Sequence, residues 1–352
     1  MRTEGFLLSV LLVLLVIGYL SHGKELENLV PENTLTLVDD SGKYVKVPYP
    51  VKRLVILHSD AGEIVCALGA ENLVVGVSDS VKAKLFPKFD NTEGVGRDAH
   101  YPTYEKIVEL HPEVVITYSG SMGSEGQLRS ILEPQGIRVL CLDAYRFELL
   151  PRDIRLLGLM LGKEKKAEEY ARFFENLVEF IENRVSGLPV DNRVLVYWEG
   201  RKDYQTASYG TMGHDIVTTA GGLNVAAGEP VLYPVVSPEW VIERNPDVIL
   251  KIAGGRILLG GGRTLTSSEP LKRIWEAVLS RPGWSELKAV RENRVYVMSW
   301  DLLGGGSLAI ALCHAAKWFY PSLFQDLDPS SLHRQLVENF WGLEYRGIFT
   351  YP

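Results

Sequence analysis

Aromatic and basic side chains gather where this sequence leaves its β-branched apolar runs. "VITYSG" carries Tyr118 at such an exit, and "VLVYWEGRKDYQTASYG" follows one with Trp198, Glu199, Arg201, Tyr204 and Tyr209. "LYPVVSPEW" brings Tyr233, and "VYVMSWD" ends on Trp300. In open α/β sheets ligands sit beyond the carboxyl ends of the strands. Tyrosine and tryptophan there suit a bulky, partly apolar ligand, and Arg97, Arg201 and Arg256 could meet carboxylates or phosphates on it. For any single aromatic, a place in the core or at a rim is an equal reading. As a set they read as a pocket.

Covalent catalysis finds less support. There is no H-E-x-x-H zinc motif, "SGSMG" around Ser121 lacks the first glycine of a nucleophile elbow, and "GGGRTLTS" lacks the lysine of a phosphate-binding loop. "GVGRDA" is a lone G-x-G-x-x-A that opens no evident helix. The three cysteines, Cys66, Cys141 and Cys313, each sit in an apolar run and read as small buried hydrophobes. No catalytic residue, no direct metal ligand and no resident cofactor is expected.

The elements that must position these residues follow from pattern. The 352 residues are 46% hydrophobic and 23% charged, an ordinary globular composition with room for one large domain or two modest ones. A net charge of −7 without a long basic run argues against nucleic acid as a partner. Arg2 followed by the uncharged run Phe6–Leu20, with Ser21 and Gly23 behind it, reads over residues 1–23 as a signal peptide or a membrane anchor. The run is short of the roughly 20 residues of a spanning helix. No cysteine near Ser21 offers a lipid-anchor site. The protein is therefore expected to be exported, to the periplasm or the outer face of the cytoplasmic membrane, secreted or anchored at its N-terminus.

Strand and helix patterns alternate from residue 24 to 149, which implies parallel strands in an α/β lobe. Residues 150–188 are different: a long helical stripe, glycine-poor over Lys163–Val185, too stiff for a flexible linker. Alternation then resumes over 189–325, and a segment 326–352 follows without an evident role. The two lobes echo each other. "TYEKIVELHPEVVI" and "SPEWVIERNPDVIL" align Glu105 with Glu239, Pro112 with Pro246 and Glu113 with Asp247. Thr103 and Ser237 are N-cap types, and a glutamate two residues later suits the positive end of a helix dipole. One such helix–proline–strand unit is common; two in register mean duplicated lobes with a cleft between them.

These phrases, with "VKRLVILHSDAGEIVCALGAENLVVGVSD" and "TTAGGLNVA", resemble the substrate-binding proteins of ABC importers. They resemble the type with a rigid helix between lobes that captures ferric siderophores, haem and cobalamin, over about Thr34–Phe324. The resemblance implies an α/β fold of two similar lobes with mostly parallel sheets, a ligand cleft between them and a monomer in solution. It implies that Glu105 and Glu239 meet arginines on a permease dimer coupled to its ATPase subunits. It also places Arg97–Tyr101, Tyr118, Trp198-Glu199 and Tyr233 at the pocket. The expected ligand is a metal chelate, an iron complex before haem or cobalamin, since the arginines suit an anionic ligand and tyrosines suit ferric complexes. A nitrogenase-like cofactor-assembly scaffold or enzyme is the reading from another class, and it needs cysteine ligands at the cleft. A surface adhesin or sensor is a third.

Overall fold

The computed structural model describes residues 33–254 and 261–352. The N-terminal apolar run and Arg256 lie outside them. A hairpin of β1 (Thr34–Val38) and β2 (Tyr44–Pro48) precedes the first lobe. That lobe runs β3 (Leu54–Ile56), α1 (Ser59–Leu68), β4 (Val74–Val77), α2 (Asp79–Leu85), β5 (Glu93–Gly94), α3 (Tyr104–Glu109), β6 (Val114–Thr117), α4 (Glu125–Leu132) and β7 (Arg138–Cys141). The sheet order is β5-β4-β3-β6-β7 and every pairing is parallel. Central strands such as β3 and β6 are buried on both faces, which is why they read as continuous apolar runs without alternation.

The helical segment between the lobes is two helices. α5 (Leu150–Leu161) ends at Gly162, whose φ of 64° lies in the left-handed region, and α6 (Glu164–Val185) follows. At 22 residues, α6 is about 33 Å long. Arg155 on α5 joins Glu168 and Glu175 on α6 at 2.7 and 2.6 Å. The second lobe runs β8 (Leu195–Glu199), α7 (Met212–Thr219), β9 (Leu223–Asn224), α8 (Pro238–Arg244), β10 (Val248–Ala253), α9 (Glu269–Leu279), α10 (Lys288–Arg291), β11 (Val295–Ser299) and α11 (Ser307–Phe319). Its sheet order is β12-β11-β10-β8-β9, parallel except where β12 (Thr350–Tyr351) runs antiparallel to β11.

The final segment closes the structure across both lobes. Asp328 caps α12 (Pro329–Gln335) by accepting the Ser330 and Ser331 amides. Beyond a π-type turn at Leu336–Phe340, the Trp341 indole donates to the Tyr170 hydroxyl of α6 at 3.4 Å. The Phe340 ring lies 5.0 Å from both Tyr170 and Phe173. Arg346 then lies over Phe86 of the first lobe, before β12 joins the second-lobe sheet. One apolar cluster accordingly includes Ile56 of the first lobe, Tyr170 and Phe174 of α6, Leu312 of the second lobe, and Trp341 and Phe349 of the tail.

Interiors packed at crystal density do not shear freely, so a core shared by both lobes and the tail predicts little relative motion. X-ray scattering profiles recorded with and without bound ligand should superimpose to within a small change in radius of gyration; a large contraction would exclude this. Trp341→Ala should cost about 3–5 kcal/mol of stability, read as a lowered denaturant midpoint.

Candidate functional site

The carboxyl ends of the two sheets face each other, and the floor between them is built from backbone. β3 delivers His58, whose Nδ1 accepts the Ala61 amide at 3.3 Å and starts α1. α1 then presents Asp60 and Glu63, both buried, and Lys84 of α2 stands 2.5 Å from Glu63 and 3.8 Å from Asp60. Opposite them lie Gly304 and Gly305, with φ of 118° and 56°. A Cβ on Gly304 would fall 2.4 Å from Asp60 Oδ1, and one on Gly305 2.3 Å from Glu63 Oε2. The Gly305 amide donates to the Ala144 carbonyl at 3.2 Å. Only glycine admits this approach. Burial pushes the Glu63 carboxyl up to about 7 against the pull of Lys84, and burial holds His58 neutral, its pKa lowered to about 4.

Tyr118, the first residue past β6, stands on this floor. Its ring stacks on His58 at 3.9 Å, meets Tyr145 edge-on at 5.5 Å, and its hydroxyl donates to Asp60 at 2.6 Å. Burial and the Asp60 charge raise its pKa well above the ordinary tyrosine value. Tyr118 is therefore a neutral phenol held in one orientation, a stacking and hydrogen-bonding surface and not a phenolate.

Each lip carries an exposed arginine stacked on an aromatic ring. On the first lobe the Arg97 guanidinium lies 3.8 Å over Tyr101 and pairs with Asp98 at 2.9 Å. On the second, Arg201 lies 4.5 Å over Trp300. Exposed Tyr209 meets His214 edge-on at 5.4 Å, and Tyr233 is exposed beside it on the following strand-like arm. The lobes sense each other here. Burial pushes Asp215 of α7 up to about 6, and Glu148 of the first lobe adds to the rise while Arg146 opposes it. Tyr145, raised to about 12 chiefly by burial, also feels Tyr233.

Three expected pocket residues belong elsewhere. Trp198 and Glu199 lie within β8, not past its end, and both are buried. Trp198 packs under the first turn of α7, where a Cβ on Gly213 would meet its indole at 2.7 Å. Glu199 is gripped by Lys251 at 2.7 Å, by Arg281 at 2.7 and 2.8 Å and by the Tyr197 hydroxyl at 3.0 Å. Tyr204 is turned under the Arg281 guanidinium, 4.5 Å away, against Trp284. Arg256 is outside the described residues. Conversely, His58, Asp60, Tyr145 and Asp215 were not anticipated, although "VILHSD" and "LCLDAY" place three of them just past apolar strands.

The repeated phrase resolves into two parts. Its proline and acidic residue are structural in both lobes. His111 and Asn245, just before the prolines, have φ of 45° and 39°. Glu113 then accepts the Lys52 and Arg53 amides at 2.5 and 3.0 Å, and Asp247 accepts the Leu195 amide at 2.7 Å, at the entries to β3 and β8. The helix starts differ: the Ser237 hydroxyl accepts the Trp240 amide at 3.1 Å, while Thr103 makes no such cap. Glu105 and Glu239 stand exposed in the first turns of α3 and α8, at the cleft-side ends of their sheets. Neither has an ion-pair partner among the described residues.

Two α/β lobes on a shared core, with a cleft at the facing strand ends, define a two-lobed solute-binding protein. The chain belongs to the periplasmic binding protein family, whose model matches residues 54–302. It is 27% identical over 298 residues to the ABC transporter substrate-binding lipoprotein YvrC of Bacillus subtilis, covering 83% of this chain and 87% of YvrC. It is 22% identical over 346 residues to the molybdate-binding protein MolA of Haemophilus influenzae, covering 88% and 92%. Among solved structures, the TroA-like binding protein FepB of Veillonella parvula superimposes with a TM-score of 0.76 at 23% identity, over 90% of this chain and 99% of that one. Among the described residues no helix is long and apolar enough to cross a membrane.

The Glu199 assignment is open to test. Removing one partner of a buried ion pair costs about 3–5 kcal/mol, so Glu199→Ala should be strongly destabilised. Whatever fraction stays folded at low temperature should bind ligand with wild-type affinity, measured by titration calorimetry.

Proposed function

We propose that this chain is the extracytoplasmic binding component of an ABC importer, and that it captures an intact, anionic metal chelate, with a ferric siderophore-type complex as the leading ligand. The observation that carries the ligand reading is the pair of exposed arginine–aromatic stacks, Arg97 on Tyr101 and Arg201 on Trp300, one on each lip. A guanidinium already spread on a ring presents its edge to acidic oxygens while the ring offers a flat apolar face. Below them, Tyr118 is committed to Asp60 as a neutral hydroxyl. That favours a metal arriving within its own chelator over one bound directly by the tyrosine. Titration of tryptophan fluorescence with a ferric trihydroxamate, haemin, cyanocobalamin and molybdate ranks the candidates; tightest binding of molybdate would reject the chelate reading.

Delivery is assigned to Glu105 and Glu239. Two carboxylates at equivalent helix starts, both on the cleft side and without an ion-pair partner among the described residues, suit one cationic site on each half of a two-fold permease. Rim charges of this kind set approach and register more than affinity. The alternative is that each merely favours its helix dipole, worth about 0.3–1 kcal/mol. The double variant Glu105→Gln with Glu239→Gln should remain folded and bind ligand normally, yet fail to stimulate the ATPase of the reconstituted transporter. Wild-type stimulation would reduce both residues to helix starters.

A further inference from the structure

One apolar surface at the mouth of the cleft is held open by the fold itself. Residues 205–208 and 231–235 form two arms joined by main-chain bonds: Thr206 N–H to the Pro234 carbonyl and Ser208 N–H to the Leu232 carbonyl, each 2.9 Å, with a bridge between Gln205 and Val235. The inner arm is anchored. Thr206, Ala207 and Ser208 are buried, the Thr206 hydroxyl donates to the Trp198 carbonyl at 2.6 Å, and Asn224 Nδ2 donates to the Ala207 carbonyl at 2.8 Å. The outer arm, "VLYPV", is the opposite. Val231 and Leu232 are each 55% exposed, Tyr233 53% and Val235 72%. Tyr209, in the turn that leaves the inner arm, adds a further exposed ring.

Four exposed apolar side chains around the buried Pro234, on a rigid support, are unusual unless something covers them. Its position says what. Both arms lie between the end of β8 and the start of α8, at the carboxyl end of the second-lobe sheet. Leu232 Cδ2 lies 3.5 Å from where a Gly210 Cβ would stand, so the arm folds back over the loop that leads into α7. The outer arm is therefore a side wall of the cleft. The rest of the rim is charged: the same lobe carries Arg201 over Trp300, and the first lobe carries Arg97 over Tyr101 beside Asp98. The arm is thus a hydrocarbon stretch of a rim that is otherwise charged.

From this contrast we infer that the 231–235 arm selects the ligand by its outer face: the cleft takes an anionic metal chelate that carries a hydrocarbon or aromatic periphery where it meets the arm. The inference rests on the chelate reading proposed above and narrows it. A bare oxyanion or a uniformly hydrophilic chelate would leave Val231, Leu232 and Tyr233 in water and gain nothing from them.

Two ferric trihydroxamates with the same iron core, one fringed with hydrocarbon chains and one with hydroxyls, test this together with molybdate. The wild type should bind the hydrocarbon-fringed complex at least about tenfold tighter than the hydroxylated one. Val231→Ser with Leu232→Ser should abolish that preference without lowering the thermal midpoint. Tyr44→Ser, on the distant β1–β2 hairpin and 79% exposed, should leave it unchanged. Equal binding of the two complexes by the wild type, or a preference that survives in the double variant, would overturn the inference while leaving the chelate reading intact. So would a double variant that keeps its preference but no longer stimulates the transporter, since the arm would then be a permease contact. Binding of molybdate and of neither complex would remove the chelate reading itself, and the wall with it.

Discussion

Backbone contact between Gly304–Gly305 and the carboxylates of α1 fixes where the two lobes stand. Asp60 and Glu63 occupy the space in which side chains would otherwise project from the facing loop, and the Gly305 amide reaches Ala144 directly. Burying two carboxylates is expensive unless they are paired and hydrogen-bonded. Lys84 offsets part of that cost, and burial raises the Glu63 pKa to about 7, which eases its ionisation penalty further. The same Asp60 accepts the Tyr118 hydroxyl. The residue that meets the second lobe is thus the residue that orients the cleft floor.

The shared core extends that constraint outward. In a hinge-type binding protein each lobe completes its own core and the connection between them bends. Here Tyr170 of α6 packs with residues of both lobes and takes the Trp341 indole of the tail on its hydroxyl. Opening the lobes would expose apolar surface along that whole seam, at roughly 25 cal/mol per Å². The tail, silent as a motif, also resists opening, because it is joined to the second-lobe sheet through β12 and lies against the first lobe at Phe86.

Much of this architecture was legible in the sequence. Apolar runs alternating with amphipathic helices gave two parallel α/β lobes, and the repeated phrase located equivalent helices in each. The phrase also concealed two functions. Glu113 and Asp247 look like loop residues but staple the entries to β3 and β8, whereas Glu105 and Glu239, at the helix starts before them, have no ion-pair partner among the described residues. The pocket was harder to read because one residue of strand length decides between cleft and core. Tyr118 and Trp300 are the first residues past β6 and β11 and reach the cleft, while Trp198 and Glu199 are the last two of β8 and stay under its helices. Nothing local marks that difference; it depends on how far the neighbouring strands and α7 extend. The tail was illegible for the same reason, since short elements that bury their aromatics against distant helices have no periodicity of their own.

A joined pair of lobes changes how selectivity must arise. A protein that closes around its ligand can spend closure energy on discrimination, because a poor ligand fails to drive the motion. A preformed cleft has no such step, and its discrimination is limited to the surfaces already in place. The floor is then common ground, a neutral phenol on a buried imidazole that would accept any flat or rounded face. Differences must come from the lips, which carry a charged stack on each lobe and, on the second, an anchored hydrocarbon arm. Those lips are loops and turns, free to vary without disturbing the glycine joint or the shared core. The division also explains why family membership leaves the cargo open: the elements that identify the fold are not those that form the exposed lips.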